Sequence, residues 1–302
     1  IAGSDRELAD FLRHVGLEKN SSVYTVKSYR EDLTQAAHFF HEKLGSSGSI
    51  TPKEITTRHV RAYMAWMSDQ GYAKTTAARR LAAVRSFFRY LCRQGVLDAN
   101  PSDGVRGPRQ DKKLPHFLTG GQVEQLLAAP QGDEPLHRRD RAILETLYSA
   151  GLRVAELVGL NLDDVDIDEG ILTVRGKGRR ERLAMIGSPA KKALRRWLEG
   201  RESVAPRVKT QAAIFVNHRG GRLTTRSVGR MLEGYLAQLG LDPRTSPHTL
   251  RHSFATHMLA GGAEIRALQE LLGHASIRTT QIYTQVDHSR IKAVHEQCHP
   301  RG

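Results

Sequence analysis

The sequence predicts a mainly α protein of two domains, in which a four-helix N-terminal bundle precedes an α+β domain with a small antiparallel sheet. Three observations predict this. The chain has 302 residues, and at roughly 150 residues per domain that length favours two. Apolar residues recur at spacings of three and four along most of it, the period of a buried helix face. Residues 98–115 break the period, with Pro101, Pro108, Pro115, Gly104 and Gly107 beside Arg106, Arg109, Lys112 and Lys113, and so mark a linker. The expected domains are residues 1–107 and 108–302.

In the first domain Leu8, Phe11, Leu12 and Val15 define one helix face, and Tyr29, Leu33, Ala36 and Phe40 a second. Val60, Met64 and Met67 give the third, and Leu81, Val84, Phe88 and Leu91 the fourth. Ser22 and Thr56 have the side-chain oxygen an N-cap needs, and Gly45, Gly71 and Gly95 stand where helices should stop. The fourth helix, expected over Ala78 to Arg93, adds Arg85, Arg89 and Arg93 at intervals of four beside its apolar stripe. Such a stripe suits a solvated face as well as a phosphate backbone.

The second domain opens with helices expected over Gly121 to Ala129, after Thr119, and over Arg138 to Ser149. Ile171–Val174 and Leu183–Ile186 are β-prone runs on either side of a Gly-containing basic loop, and predict a hairpin with Lys177 near its tip. Ala213 to Val216 is a further candidate strand, and the remainder is expected to be helical.

Charge narrows the function. Lys and Arg total 46 against 32 Asp and Glu, a formal net charge of +14, and a field of one sign speeds encounter with polyanions. Basic residues outnumber acidic ones on both sides of the linker, as two domains closing around one duplex would require. Two cysteines, Cys92 and Cys298, make neither a disulfide framework nor a four-thiolate metal site. No run approaches the roughly 18 apolar residues of a membrane span, and Ile1 to Asp5 lacks a basic-then-apolar leader. A cytoplasmic protein with no membrane partner is expected. The first residue is Ile1 rather than Met, so a few native residues are expected to precede it.

Four segments concentrate reactive side chains: Ala150-Gly151-Leu152-Arg153 with Glu156, the Lys177 loop, Ser246 to His252, and Leu272-Gly273-His274 with Tyr283 nine residues on. In the third, Ser246 can cap a helix whose first turn holds Pro247. His248, Arg251 and His252 then share a face near a helix N-terminus, an end that favours anions. Each residue alone has an ordinary reading. Arg153 can pair with Glu156 on the surface, Tyr283 can be one packing residue among eight tyrosines, Lys177 can face solvent, and His248 and His274 can cap or satisfy hydrogen bonds. A zinc site on His248 and His252 lacks the glutamate of His-Glu-x-x-His and any cysteine cluster. There is no Gly-x-x-x-x-Gly-Lys-Ser/Thr loop for a nucleotide motor, and no Gly-x-Ser-x-Gly around Ser149 or Ser253 for a serine hydrolase.

Taken together, Arg153, Lys177, His248, Arg251, His274 and Tyr283 resemble the tyrosine recombinase (phage integrase) family in order, spacing and neighbours, over nearly the whole chain. The compact length and the tail His295 to Arg301 are most similar to the bacterial Xer group, which resolves chromosome dimers. Ala155 departs from the pattern, which has a serine beside Glu156. The resemblance implies a SAM-like core-binding domain over residues 1–107 and a catalytic domain of the DNA breaking-rejoining type over residues 108–302. It implies a site-specific recombinase that cuts and rejoins DNA at a dif-like site without cofactor, metal or ATP. Its partners would be double-stranded DNA, a homo- or heterotetramer with a second Xer-type recombinase on two DNA sites, and an FtsK-type translocase. Residues from Arg290 onward would dock into a neighbouring protomer.

The residue chemistry agrees with those roles. Breaking a phosphodiester without a metal needs fixed cations on the non-bridging oxygens, and the Arg153 and Arg251 guanidinium forks fit. Tyr283 would attack phosphorus to leave a 3′-phosphotyrosyl enzyme, but a phenol of pKa ~10 must be activated. His248 is the candidate base, Lys177 the acid for the departing 5′-oxygen, and His274 a hydrogen-bond donor to the phosphate, while Glu156 would orient neighbouring basic groups. Arg79, Arg80, Arg85 and Arg89 are the candidate DNA contacts of the first domain, and Arg222 and Arg226 those of the second. Two other readings use the same residues: a type IB topoisomerase that rejoins the same strand, and a DNA-binding regulator of this fold without turnover.

Overall fold

The computed structural model describes residues 2–17, 23–44, 51–109, 116–176, 181–204, 212–273 and 285–302. The chain divides into two compact units, Ile1–Lys113 and Leu114–Gly302.

In the first unit four helices bury the faces that the apolar spacing marks: α1 (Ala2–Leu17), α2 (Val23–Leu44), α3 (Thr57–Asp69) and α4 (Lys74–Arg93). Phe11, Val15, Leu33, Phe40, Val60, Met67, Leu81, Val84 and Phe88 lie in one core. Thr56 precedes α3 as its N-cap, and His59 Nδ1 accepts the Thr56 backbone N–H at 3.1 Å. α3 and α4 stop through paired reverse hydrogen bonds: Gly71 to Ser68 O with Tyr72 to Met67 O, and Gly95 to Cys92 O with Val96 to Leu91 O. Ser22 and Gly45 lie outside the described residues.

The start of the expected linker is packed rather than free. Val105 joins the first core, Ser102 is buried against Asn100, and Arg85 Nη2 donates to the Val105 carbonyl at 2.6 Å. Pro and Gly broke the helical period there, but the segment's backbone is paired, the Val105 carbonyl with Arg85 of α4 and the Asp103 and Val105 N–H groups with the Asn100 and Ser102 carbonyls.

The second unit is wound around α6 (Pro135–Ser149), in which every residue from Ala142 to Ser149 is buried. A helix buried on so many sides must satisfy most of its polar groups internally; Asp140, Glu145 and Ser149 do so, while the buried Thr146 hydroxyl has no hydrogen-bond partner among the described residues. Asp140 takes bonds from Arg139 and Tyr235, Glu145 from Arg141 and Arg301, and Ser149 Oγ from the Gly187 N–H. α5 (Gly120–Ala128) begins at Thr119, whose hydroxyl accepts from the Gln122 N–H at 3.3 Å. The short α7 (Val154–Gly159) follows α6 and leads to a three-stranded antiparallel sheet of order β1-β2-β3, with β1 at Val165–Asp166, β2 at Ile171–Arg175 and β3 at Glu181–Met185.

β3 begins two residues before the expected Leu183 because Arg175 and Glu181 pair across the strands at 3.2 Å. Beyond the sheet come α8 (Ser188–Gly200), α9 (Thr225–Leu239), α10 (Pro247–Ala260), α11 (Ile265–Leu272) and α12 (Gln285–Cys298). Ala213 to Val216, the candidate strand, makes only isolated bridges to Asn161 and Arg222, although all four of its side chains are buried.

Within the chain, Lys292 to Arg301 pack on their own unit; the docking expected of residues from Arg290 onward concerns a second protomer. His295 Nε2 donates to the Ser149 carbonyl at 2.7 Å, the His295 and His299 rings stack at 4.8 Å, and His299 lies 5.0 Å from Tyr148 and 5.5 Å from Phe254. Arg301 reaches Glu145 at 2.8 Å, and Lys292 reaches Glu169 at 3.0 Å. The partners on α6 and α10 are buried groups of the same fold, so the tail closes the unit's own core.

Candidate active site

The site is built where the end of α6, the start of α7, β3, α10 and the end of α11 meet. Arg153 is the N-cap of α7, three residues before Glu156. Glu156 reaches back in the manner of a capping box: its Oε2 accepts the Arg153 backbone N–H at 2.8 Å, and its Oε1 accepts Arg153 Nη1 at 2.9 Å. The carboxylate is buried and also takes Arg182 Nη2 on Oε2 at 2.9 Å, with Arg251 Nη1 3.7 Å from that oxygen. Three guanidiniums thus surround one carboxylate, which leaves a surplus of positive charge there.

Arg251 comes from α10, which begins as the sequence predicts: Ser246 is the N-cap, its hydroxyl accepts the Thr249 N–H at 3.3 Å, and Pro247 occupies the first turn. The Arg251 guanidinium is held at both ends by backbone carbonyls, Nη1 to Gly151 O and Nη2 to Leu272 O, each at 2.6 Å. Burial, then the neighbouring Arg153 and Arg182 charges, lower its pKa to about 10 against the opposing pull of Glu156. It therefore carries its charge at neutral pH. The three cations differ in access: the Arg153 side chain is 41% exposed, and those of Arg182 and Arg251 are each 10% exposed.

Gly151 makes this approach feasible. Its φ is +55°, and a Cβ there would stand 2.4 Å from the Phe254 ring of α10. Only glycine combines that backbone conformation with that contact, so the Gly151-Leu152-Arg153 turn lies flush on the helix that carries Arg251.

His248 is exposed on the first turn of α10, one turn before Arg251; His252 is also exposed, with its ring 6.3 Å from Phe117 in an edge-on arrangement. Among the described residues no three His, Cys, Asp or Glu side chains gather as a metal site, and no helix is long and apolar enough to cross a membrane. Lys177, His274 and Tyr283 lie outside the described residues. The structure therefore brings together Arg153, Glu156 and Arg251, and places His248 on the helix that carries Arg251.

Arg182 was absent from the sequence-derived set. A signal for it existed: it pairs across the sheet with buried Val174 and shares a strand face with buried Ala184. A charged residue at an inward strand position requires a partner, and here the partner is Glu156.

The candidate DNA contacts fall into two groups. Arg79 pairs with Asp32 and Ser28, Arg80 lies over the Tyr72 ring at 4.3 Å, and Arg85 holds the Val105 carbonyl. Arg222 donates to the carbonyls of Val158 and Leu160 at 2.9 and 3.1 Å and to Asn161 Oδ1 at 2.5 Å. Arg80, Arg85 and Arg222 are part-buried and brace the fold, whereas Arg79, although paired, is exposed, as are Arg89 and Arg226.

Comparison with known proteins follows the same lines. The chain matches the phage integrase family over residues 116–290 and the phage integrase N-terminal SAM-like domain over residues 8–95. It is 45% identical over 300 residues to tyrosine recombinase XerC of Pelotomaculum thermopropionicum, covering 97% of each chain. It is also 45% identical to tyrosine recombinase XerC of Natranaerobius thermophilus, covering 98% of this chain and 99% of that protein. Among solved structures, the Tn1549 transposon integrase in complex with circular intermediate DNA superposes with a TM-score of 0.72 at 22% identity, over 94% of this chain and 97% of that one. XerH site-specific recombinase in its post-cleavage complex with palindromic difH substrate gives 0.70 at 24% identity, over 90% and 79%. At these identities the two structures establish the shared fold.

Proposed function

This chain belongs to the phage integrase family, and we propose that it is a site-specific recombinase that breaks and rejoins double-stranded DNA through a 3′-phosphotyrosyl intermediate on Tyr283. The observation that carries the reading is the convergence of Arg153 and Arg251, remote in sequence, on the buried Glu156 carboxylate. Cations fixed before substrate arrives need no reorganisation when charge builds on phosphorus. The exposed Arg153 would meet the scissile phosphate first, with Arg251 behind it.

In the reaction, the Tyr283 oxygen attacks phosphorus and the 5′-oxygen leaves with a proton from Lys177. His248 takes the phenol proton, and His274 donates a hydrogen bond to the phosphate. The phosphodiester bond is exchanged for a phosphotyrosyl ester of similar energy, so a second strand's 5′-hydroxyl can reverse the step without ATP. The near-full-length likeness to XerC recombinases supports a dif-like site and chromosome dimer resolution as the task. It also supports a tetramer, of one recombinase or two, on paired DNA sites, with an FtsK-type translocase as the activating partner. Residues 1–107 would act as the core-binding domain and residues 108–302 as the catalytic one. Affinity should come largely from phosphate contacts and weaken with salt.

A suicide duplex nicked next to the cleavage point tests the chemistry, because the short 5′-end diffuses away and strands the covalent enzyme. Accumulation of a protein–DNA adduct is expected, and its complete absence would reduce the protein to a DNA binder. Two differently labelled sites then separate exchange from same-strand rejoining: recombinant products are expected, and relaxed DNA without them would point to a type IB topoisomerase.

A further inference from the structure

Arg182 stands at the junction of three elements and belongs to none of the assigned roles. It lies on β3, five residues after Lys177 in sequence. Its Nη2 donates to Glu156 Oε2 at 2.9 Å, the same oxygen that accepts the Arg153 backbone N–H and that faces Arg251 at 3.7 Å. Its stem lies flat on Gly273, where a Cβ would stand 2.5 Å from Arg182 Cδ and 2.6 Å from Nε. Gly273 has a φ of +63° and follows Leu272, whose carbonyl holds Arg251 Nη2. A single side chain therefore touches the carboxylate that positions Arg153 and the turn that positions Arg251.

We infer that Arg182 is a positioning residue of the strand-cleavage site: by bonding Glu156 and packing on Gly273 it fixes the directions in which the Arg153 and Arg251 donors meet a phosphate, without touching the phosphate itself. The inference rests on the recombinase reading above. Two physical points support it. Arg182 is largely buried behind Glu156 while Arg153 is the exposed cation, so geometry gives the ligand to Arg153 and the brace to Arg182. Arg182 also satisfies part of the carboxylate, which would otherwise draw more fully on the guanidiniums needed for substrate.

The test compares wild type with Arg182→Met and Arg182→Lys in the full-length protein, on two suicide duplexes. One has a normal scissile phosphodiester. The other has a methylphosphonate there, in which a methyl group replaces one non-bridging oxygen and removes the negative charge. Arg182→Met is expected to bind duplex DNA with wild-type affinity and to cleave the phosphodiester about 10²-fold more slowly, the scale on which small misplacements act. On the neutral linkage, which asks less of paired guanidiniums, the deficit should shrink to about tenfold or below. Arg182→Lys keeps the charge and the stem but loses the planar fork; it should show a smaller deficit with the same narrowing, and carries the comparison by itself.

Equal deficits on both duplexes would assign Arg182 to general structure and overturn the inference, as would wild-type cleavage by both variants. Absence of any adduct with the wild-type protein would instead overturn the recombinase reading. The two failures are therefore distinct.

Discussion

Arg251 Nη1 donates to the Gly151 carbonyl at 2.6 Å, so the buried cation of α10 is oriented by the backbone two residues ahead of Arg153, the exposed one. The Gly151-Leu152-Arg153 turn is thus both a brace for one arginine and the origin of the other. Its geometry depends on Gly151, whose φ is +55° and whose Cα faces the Phe254 ring.

Gly151→Ala should therefore damage stability and cleavage together. A Cβ would meet Phe254 at 2.4 Å on a backbone that L-residues adopt poorly. The expected cost is roughly 2–4 kcal/mol, read as a shift of the urea midpoint with the slope unchanged. Wild-type stability would show that the turn is not held as described.

Glu156→Gln keeps the shape of the side chain and removes the charge that three guanidiniums share. Uncompensated buried cations are costly, and about 3 kcal/mol of destabilisation is expected. Cleavage of a suicide duplex should fall, while duplex affinity, which depends on many phosphates, should change little. Unchanged cleavage would remove Glu156 from the organisation of the site.

The tail should loosen in acid. Burial lowers the pKa of His299 to about 3, with His295 beside it adding to the shift, and burial lowers that of His295 as well. Tyr148, Phe254, His257, Glu145, Arg301 and Glu296 form the surroundings of the pair. The unfolded chain binds protons near pH 6.5 and the folded chain does so only well below, so stability is complete above that pH and is lost as pH falls. At pH 5 the His299 contribution should be about 2 kcal/mol smaller than at pH 7. Hydrogen exchange over residues 292–301, corrected for intrinsic rates, should show reduced protection at pH 5, and His299→Gln should flatten the dependence. Equal protection at both pH values would contradict the buried neutral pair.

How far the sequence carries is clear from particular residues. Leu81, Val84, Phe88 and Leu91 repeat often enough to mark α4, and Thr119, Ser246 and Pro247 mark helix starts because capping is local chemistry. α7 falls within the stretch expected to be helical but is not marked as a separate element, because Val154–Gly159 is too short to show a period. Arg182 and the tail escaped for a different reason: their partners, Glu156 and Ser149, are distant in sequence, and only the assembled fold brings them near. The motif suggested an arginine pair with Glu156 to orient it; that Arg182 shares the same carboxylate came from the structure.

Lys177→Ala should be rescued by chemistry rather than by fold. If Lys177 protonates the departing 5′-oxygen, replacing that oxygen with sulfur supplies a leaving group that needs no proton. The variant should cleave the 5′-thio duplex at close to the wild-type rate and the ordinary duplex on the order of 10²-fold more slowly. Equal impairment on both would remove the general-acid role.

The most direct measurement is the identity of the amino acid bonded to DNA. Protein trapped on a nicked duplex, digested with protease and sequenced by mass spectrometry, should yield a single nucleotide-bearing peptide modified at Tyr283 through a 3′-phosphate, and Tyr283→Phe should bind the same duplex and yield none. A nucleotide on any other residue, or an adduct that survives Tyr283→Phe, would contradict the account.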